Sequence, residues 1–235
     1  MALVDSFEKS GNWLFRYRGQ IPVFLFVAAI PVVYFTDISF LNETSREILT
    51  IISIVLSILG FIIRAISIGT TPIGTSGRNT KEGQVAESLN TKGIYSMVRH
   101  PLYLGNYFMW IGIVLFTFNF SFLVVVSLLF WLYYERIMFA EERFLERKFG
   151  DAYMNWARKT PSFIPCIRKY SKNDIPLSFK SILKREYSGV LATVVGFVFI
   201  DDLRSYFEAG KFEMDTIAHW VLAVTILRGL ILRSL

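Results

Sequence analysis

The chain of 235 residues contains one cysteine, Cys166, and two histidines. A single thiol excludes an intrachain disulfide and any cysteine-based metal cluster. His100 and His219 stand far apart and do not supply the concerted ligand set of a metal site, so no metal is expected. No Gly-x-Gly triplet occurs anywhere, which removes the fingerprint of a Rossmann nucleotide site. Charge is also scarce. Asp, Glu, Lys and Arg make up 19% of the chain against 53% hydrophobic residues, where soluble domains carry about a quarter charged. Ten-residue segments of alternating polarity are missing, which argues against a membrane β-barrel. Internal repeats and low-complexity tracts are missing too.

What the chain does have is long apolar blocks, without period-2 or amphipathic patterning. A bilayer requires backbone polar groups to be satisfied within the segment that crosses it, so such blocks read as helices. The expected fold is all-α, a polytopic integral membrane helical bundle of about six transmembrane helices at 21–35, 48–68, 102–118, 122–139, 190–200 and 217–232. Pro31 is expected to kink the first. The net charge of +6 is read as the loop bias that sets topology, not as a nucleic-acid surface. Lys9, Arg16 and Arg18 precede the first span; Arg78, Lys81, Lys92 and Arg99 lie between the second and third. The stretch 143–185 is rich in Arg and Lys. The intervening loops are poor in bases, so both termini and the basic loops are expected on the cytosolic face. The N-terminal segment reads as a retained anchor, not a cleaved signal. A soft boundary near 166–184 separates a four-span core, 1–168, with its motifs in 75–165, from a basic linker and two-span extension, 169–235. Arg64 and Arg228 are expected to snorkel from the ends of their spans, and His219 to be interfacial.

Two polar motifs flank the third and fourth spans. The first is Arg99-His100-Pro101-Leu102-Tyr103-Leu104-Gly105. The second runs from Glu141-Glu142 through Phe149-Gly150 and Tyr153 to Thr160-Pro161-Ser162-Phe163-Ile164-Pro165. His100 lies about 19 residues before the polar break Asn119-Phe120-Ser121, and Glu141 about 20 after it. At 1.5 Å per residue each arm is about 28–30 Å long, one bilayer core, so the motifs return to the same face. Alone, Arg-His-Pro is a common way to start a helix at an interface. The longer string adds Tyr103 on the same side of the first turn as His100, and Gly105, where a ligand or a neighbouring helix can approach closely. Glu141 and Glu142 adjoin an apolar span, where carboxylates are costly unless paired or used.

These elements, together with Thr75-Ser76-Gly77-Arg78-Asn79 and Gly93-Ile94-Tyr95, resemble the isoprenylcysteine carboxyl methyltransferase family and its relatives, the phospholipid methyltransferases. The resemblance covers about 75–165. It implies S-adenosyl-L-methionine as cofactor and a methyl acceptor that is a membrane lipid or a lipidated substrate, with the bilayer itself as partner. Carried over by motif position, it implies that Gln84, Leu89, Tyr95, His100, Tyr103, Leu104, Gly105 and Glu141 form the cofactor site. It also implies an arginine near the acceptor shortly before the glutamate pair, for which Arg136 is the nearest match. Two features depart from the pattern: Ser162 stands where the family tail carries arginine, and the two-span extension lies outside it.

The expected chemistry is a single in-line methyl transfer. Arg99 or Arg136 would orient an anionic acceptor; an amine acceptor would need a base, Glu142 or Glu135. Isoprenylated cysteine, a phospholipid amine and a lipid phosphate all remain open as acceptors. Two other readings stand beside this one. Sterol and steroid reductases that use NADPH carry a similar Arg-His-Pro-x-Tyr string, and a non-catalytic lipid-binding protein would share the hydrophobicity.

Overall fold

A computed structural model describes residues 2–72, 75, 79–80, 83–211 and 216–234. Ser76, Gly77, Arg78 and Lys81 of the expected polar loop lie outside the described residues, as does the side chain of Arg228. Among the described residues, eight α-helices follow in chain order: α1 (Leu3–Tyr17), α2 (Ile21–Phe35), α3 (Glu43–Gly69), α4 (Pro101–Leu115), α5 (Phe120–Phe149), α6 (Asp151–Ala157), α7 (Phe179–Ala209) and α8 (Thr216–Ser234). Among the described residues, the extended structure is a two-residue antiparallel ladder, Asn79–Thr80 with Gly83–Gln84, and one bridge between Gly93 and Ser171.

Among the described residues, two helices are long and apolar enough to cross a membrane by length and composition, α3 and α5. The apolar helices α2 and α4 have 15 residues each, or about 22 Å. The stretch expected at 190–200 is the middle of a much longer helix, the 31 residues of α7, whose two ends are charged. The apolar run located the centre and missed the ends because they carry Lys, Arg and Asp.

α3 is inside out relative to a soluble helix. Ser53, Ser57, Gly60 and Ser67 are buried, while Ile51, Ile54, Val55, Ile58 and Ile62 are exposed. Small residues inward and branched apolar residues outward is the pattern of helices that pack in lipid, where close backbone approach replaces hydrophobic burial. The small face receives α4. Ser57 Oγ donates to the Met109 carbonyl at 3.0 Å. A side chain on Gly60 would strike the Gly105 backbone, and one on Gly112 would strike Ser53 and Ser57.

The α4–α5 connection is short. Phe118 takes a positive φ of 59°, uncommon for a residue with a Cβ. Asn119 then caps α5, accepting from the Phe122 amide at 2.8 Å and donating to Thr36 Oγ1 at 2.9 Å. The amphipathic α1 lies along the polar end of α5. Glu8 pairs with Arg147 at 2.6 Å, and Gly11 sits against the Arg136 carbonyl.

The stretch after residue 168 packs onto the core. α7 contacts α2, α3 and α4, and the Ser178 amide donates to the Gly69 carbonyl at 2.8 Å. His219 of α8 faces Asp202 of α7 at 3.4 Å.

Replacing Gly112 by valine forces α3 and α4 apart far from the polar motifs. We expect a loss of about 1–3 kcal/mol from overpacking, read as a lower apparent melting temperature in detergent.

Candidate active site

The site begins with a loop that has no regular partner of its own. Gly93 has φ 61°, a conformation that favours glycine, and its amide donates to the Ser171 carbonyl at 2.9 Å. A single 3-10 turn, Ile94–Ser96, follows. The chain beyond α6 then straps this loop down. The amides of Arg99 and His100 donate to the carbonyls of Pro161 and Ser162 at 2.9 and 3.2 Å, and the Cys166 amide donates to the Met97 carbonyl at 2.9 Å. Trp156 Nε1 donates to the Tyr95 carbonyl at 3.1 Å. Gly150, at φ 53°, makes the break between α5 and α6 that lets the strap return.

The α4–α5 hairpin brings His100 to the glutamate pair. His100 is 5% exposed and sits at the N-cap of α4. Its Nε2 lies 2.8 Å from Glu142 Oε1, and its Nδ1 lies 3.5 Å from Glu141 Oε2. Burial opposes a charge on this ring, but the two carboxylates outweigh it and push its pKa up to about 9. His100 is therefore an imidazolium at neutral pH. The Tyr103 ring stacks near it, with centroids 5.7 Å apart.

Arg99 completes the cluster. Its Nε and Nη2 donate to the two oxygens of Glu142 at 2.9 and 3.3 Å, and its Nη1 donates to the carbonyls of Ala157 and Thr160 at 2.6 and 2.9 Å. The guanidinium thus satisfies the end of α6 as well as Glu142. Glu142 is taken up by Arg99 and His100, whereas Glu141 faces a cavity.

That cavity has a volume of about 550 Å³, inside the range of roughly 300–1,000 Å³ usual for small-molecule sites. Gln84, Leu89, Tyr95, Arg99, His100, Tyr103 and Glu141 line it. Along α4 it is bounded by Leu102, Asn106 and Trp110, a stripe at helical spacing about 13 Å long from Pro101. Gln84 Nε2 donates to Asn12 at 3.2 Å, while its Oε1 is buried with no acceptor role filled among the described residues.

Four expected site residues lie outside the lining: Leu104, Gly105, Arg136 and Glu142. Leu104 belongs to an apolar cluster with Ile137 and Met138. Gly105 serves the α3–α4 contact, since a side chain there would meet the Gly60 carbonyl and Arg64. Arg136 stacks over Phe7 of α1, 3.4 Å from the ring centroid. Glu135 is exposed. The structure thus sets Arg136, expected to orient the acceptor, and Glu142, expected as a base, outside the cavity lining. The first faces away from the cavity; the second has its oxygens committed to cations.

The cavity also has walls that the motifs did not announce. α1 contributes Phe15, Arg18 follows just past its end, and α7 contributes Lys184, Arg185, Glu186 and Ser188. Arg64, expected to snorkel, is held by Glu186 instead. The signal was present in part, because an arginine within an apolar span is a functional candidate by default. Glu186, in a basic stretch far down the chain, offered none.

Residues 48–152 match the profile of the phospholipid methyltransferase family. The match covers a little less than half of the chain. The matched region includes most of α3 and all of α4 and α5, and therefore His100, Glu141 and Glu142. Among curated proteins, the chain is 40% identical over 80 residues to a protein-S-isoprenylcysteine O-methyltransferase of Schizosaccharomyces pombe, covering 34% of each chain. It is 28% identical over 120 residues to one of Xenopus laevis, covering 51% of this chain and 42% of that one. A third relative is the cobalt-zinc-cadmium resistance protein CzcN of Cupriavidus metallidurans, 35% identical over 88 residues, covering 37% of this chain and 40% of that one. The matches thus span about a third to two fifths of these relatives. No solved structure matches. The reported matches give the reductase reading no support. Among the described residues, no group of three or more His, Cys, Asp or Glu is arranged to hold a metal ion.

The family region makes a pH prediction with a definite sign. The folded-state pKa of His100, about 9, lies above its ordinary 6.5. Its contribution to stability is therefore fully present below pH 6.5 and is lost as pH rises through about 9. Melting temperatures at neutral and alkaline pH should differ by several degrees for the wild type. They should differ less for His100→Gln.

Proposed function

We propose that the protein is an S-adenosyl-L-methionine-dependent methyltransferase acting on a lipid or lipidated acceptor within a membrane. The observation that carries the reading is Glu141: a carboxylate braced by a buried imidazolium, on the wall of a cofactor-sized cavity, in the family-matched region.

The residues present fit this cofactor. A sulfonium cation calls for a nearby anion, and Glu141 is the member of the glutamate pair left facing the cavity. The amino and hydroxyl groups of the cofactor call for acceptors, and Gln84 Oε1 is a buried acceptor without a partner. A flat apolar base calls for aromatic and aliphatic walls, which Phe15, Leu89 and Tyr95 provide. When bound, S-adenosyl-L-methionine supplies an electrophilic methyl group for a single displacement.

The chain's own residues then have separable tasks. Glu141 binds cationic charge. His100 holds Glu141 in place and keeps it ionised. Glu142 and Arg99 fix His100 and join the α5 end, the α6 end and the strap into one unit. Tyr103 packs on His100 and shields it from water. The apolar walls exclude water, which strengthens each of these charge contacts.

The same reading carries a membrane arrangement of about six spans, with α2, α4, α7 and α8 crossing beside α3 and α5. Both termini and the cavity mouth lie on the cytosolic side. The clustering of Arg99, Arg143, Arg147 and Lys148 at the His100 end of the hairpin supports this orientation, because Arg and Lys accumulate in cytosolic loops. The isoprenylcysteine named for two of the relatives makes a prenylated cysteine the first acceptor to try.

Calorimetric titration of S-adenosyl-L-methionine and S-adenosylhomocysteine into protein held in lipid nanodiscs tests the reading. We expect saturable binding to the wild type. His100→Ala and Glu141→Ala, with helical content preserved, should weaken it by about tenfold or more, the value of one charge-assisted contact. Absence of binding to folded wild type rejects the methyltransferase reading.

A further inference from the structure

The strap that closes the loop before α4 has two properties that its backbone contacts do not explain. The first is charge. Between 158 and 180 it sets Arg158, Lys159, Arg168, Lys169, Lys172 and Lys180 against a single acid, Asp174. That surplus is most of the chain's net charge of +6. Asp174 is paired with Lys92, and all six bases are exposed. The second property is apolar surface. Ile164 and Ile167 are each 77% exposed, and Tyr170 and Phe179 are exposed beyond them. Single exposed apolar residues need no explanation, but a run of them rimmed by charge marks an interaction surface.

Phe163 fixes the depth of this surface. Its buried ring lies against Trp131 of α5, with centroids 5.2 Å apart, and against Tyr107 of α4, at 6.2 Å. Tyr107 is seven residues after His100, and Trp131 is ten before Glu141, or about 10 and 15 Å along their helices. Trp131 stands among the exposed Leu128, Leu129 and Leu132, on the face of α5 that meets lipid in a membrane-spanning hairpin. The strap leaves the charged cluster at Ser162, whose carbonyl takes the His100 amide, and returns at Cys166, whose amide reaches the Met97 carbonyl. Between those two points it dips along the outer face of the hairpin at Phe163. Ile164 sits in the dip. Arg158 and Lys159 stand before it, and Arg168 and Lys169 after it.

We propose that residues 158–172 form an interfacial wedge whose partner is the anionic leaflet of the bilayer. Ile164 and Ile167 enter the acyl layer, while Arg158, Lys159, Arg168 and Lys172 meet the phosphates of anionic lipids. Apolar insertion and charge attraction act together in contacts of this kind. Each Lys or Arg held close to an anionic surface favours the contact about fivefold. The same segment holds the amides of Arg99 and His100 through Pro161 and Ser162. Lipid that binds the seated strap better than a loosened one shifts the balance toward the seated form. Anionic lipid thereby orders the cavity wall that carries Tyr95, Arg99 and His100. The contact with lipid stands by itself; its consequence for catalysis rests on the methyl-transfer reading above.

Hydrogen exchange of the full-length protein in nanodiscs, without cofactor, reads the coupling directly. With about one lipid in four as phosphatidylglycerol, the Arg99 and His100 amides should exchange about tenfold more slowly than in phosphatidylcholine alone. Arg158→Gln, Arg168→Gln and Lys172→Gln together should erase the difference, and high salt should shrink it. Exchange in α3 should not change and serves as the control for folding. Equal exchange of the wild type in the two lipids would overturn the proposal. A difference that survives the triple variant would also overturn it, by moving the lipid contact elsewhere. A nitroxide on Ile164→Cys, with Cys166→Ser, reads the depth. It should collide with oxygen more than with a water-soluble nickel chelate; the reverse order would put the segment in water and overturn the wedge. Ile164→Glu with Ile167→Glu would change little on a surface exposed to water. In the acyl layer the pair should speed Arg99 and His100 exchange by about tenfold or more, and unchanged exchange would count against insertion. None of these readings uses S-adenosyl-L-methionine, so a failure of cofactor binding would reject the methyl-transfer reading and leave the wedge standing.

Discussion

The structure around the cavity depends on a short alternation of charge, Arg99–Glu142–His100–Glu141. Three pieces of chain place its four members: the strap and α6 hold Arg99, α5 carries both glutamates, and the start of α4 presents His100. Two adjacent carboxylates half withdrawn from water would repel each other and favour protonation. The buried imidazolium between them removes that conflict. It also divides their labour, since one carboxylate is spent on holding the cation and the other remains on the cavity wall. Without the ring, the hairpin would bring two like charges together with Arg99 as the cation left beside Glu142.

The second constraint is close helix packing. α3 can turn Ser and Gly toward α4 because its large side chains have somewhere else to go. In water that arrangement would leave an exposed apolar surface with a strong tendency to associate. In lipid it is the economical one, because van der Waals contact between backbones is what holds apolar helices together. The narrow α3–α4 seam gives α4 a fixed rotation, and the rotation decides that Asn106 and Trp110 point to the cavity while Gly105 and Met109 point to α3.

Much of this was legible in the sequence. The helical character and the convergence of His100 with the glutamates follow from the lengths of two apolar blocks and the polar break between them. Gly93 and Gly150, both named within the motifs, sit at turns with positive φ. Other features were hidden for physical reasons. Gly105 looked like an opening for a ligand, but a missing side chain serves helix contact equally well, and spacing does not distinguish the two. Arg136 lay at about the right distance before the glutamates, but on a face of α5 that α1 covers. The role of α7 depended on a single long-range pair, Arg64 with Glu186, and neither residue carries a local pattern that names its partner.

The Arg64–Glu186 pair also sets an order of assembly. The two residues are 122 positions apart, so at a synthesis rate of about 5–20 residues per second Arg64 waits roughly 6–24 seconds for its counterion. Asn106 arrives sooner, 42 positions after Arg64. The nascent α3–α4 pair therefore already offers the guanidinium a neutral hydrogen-bond partner, and α7, emerging later, exchanges a provisional truce in the membrane for a permanent one.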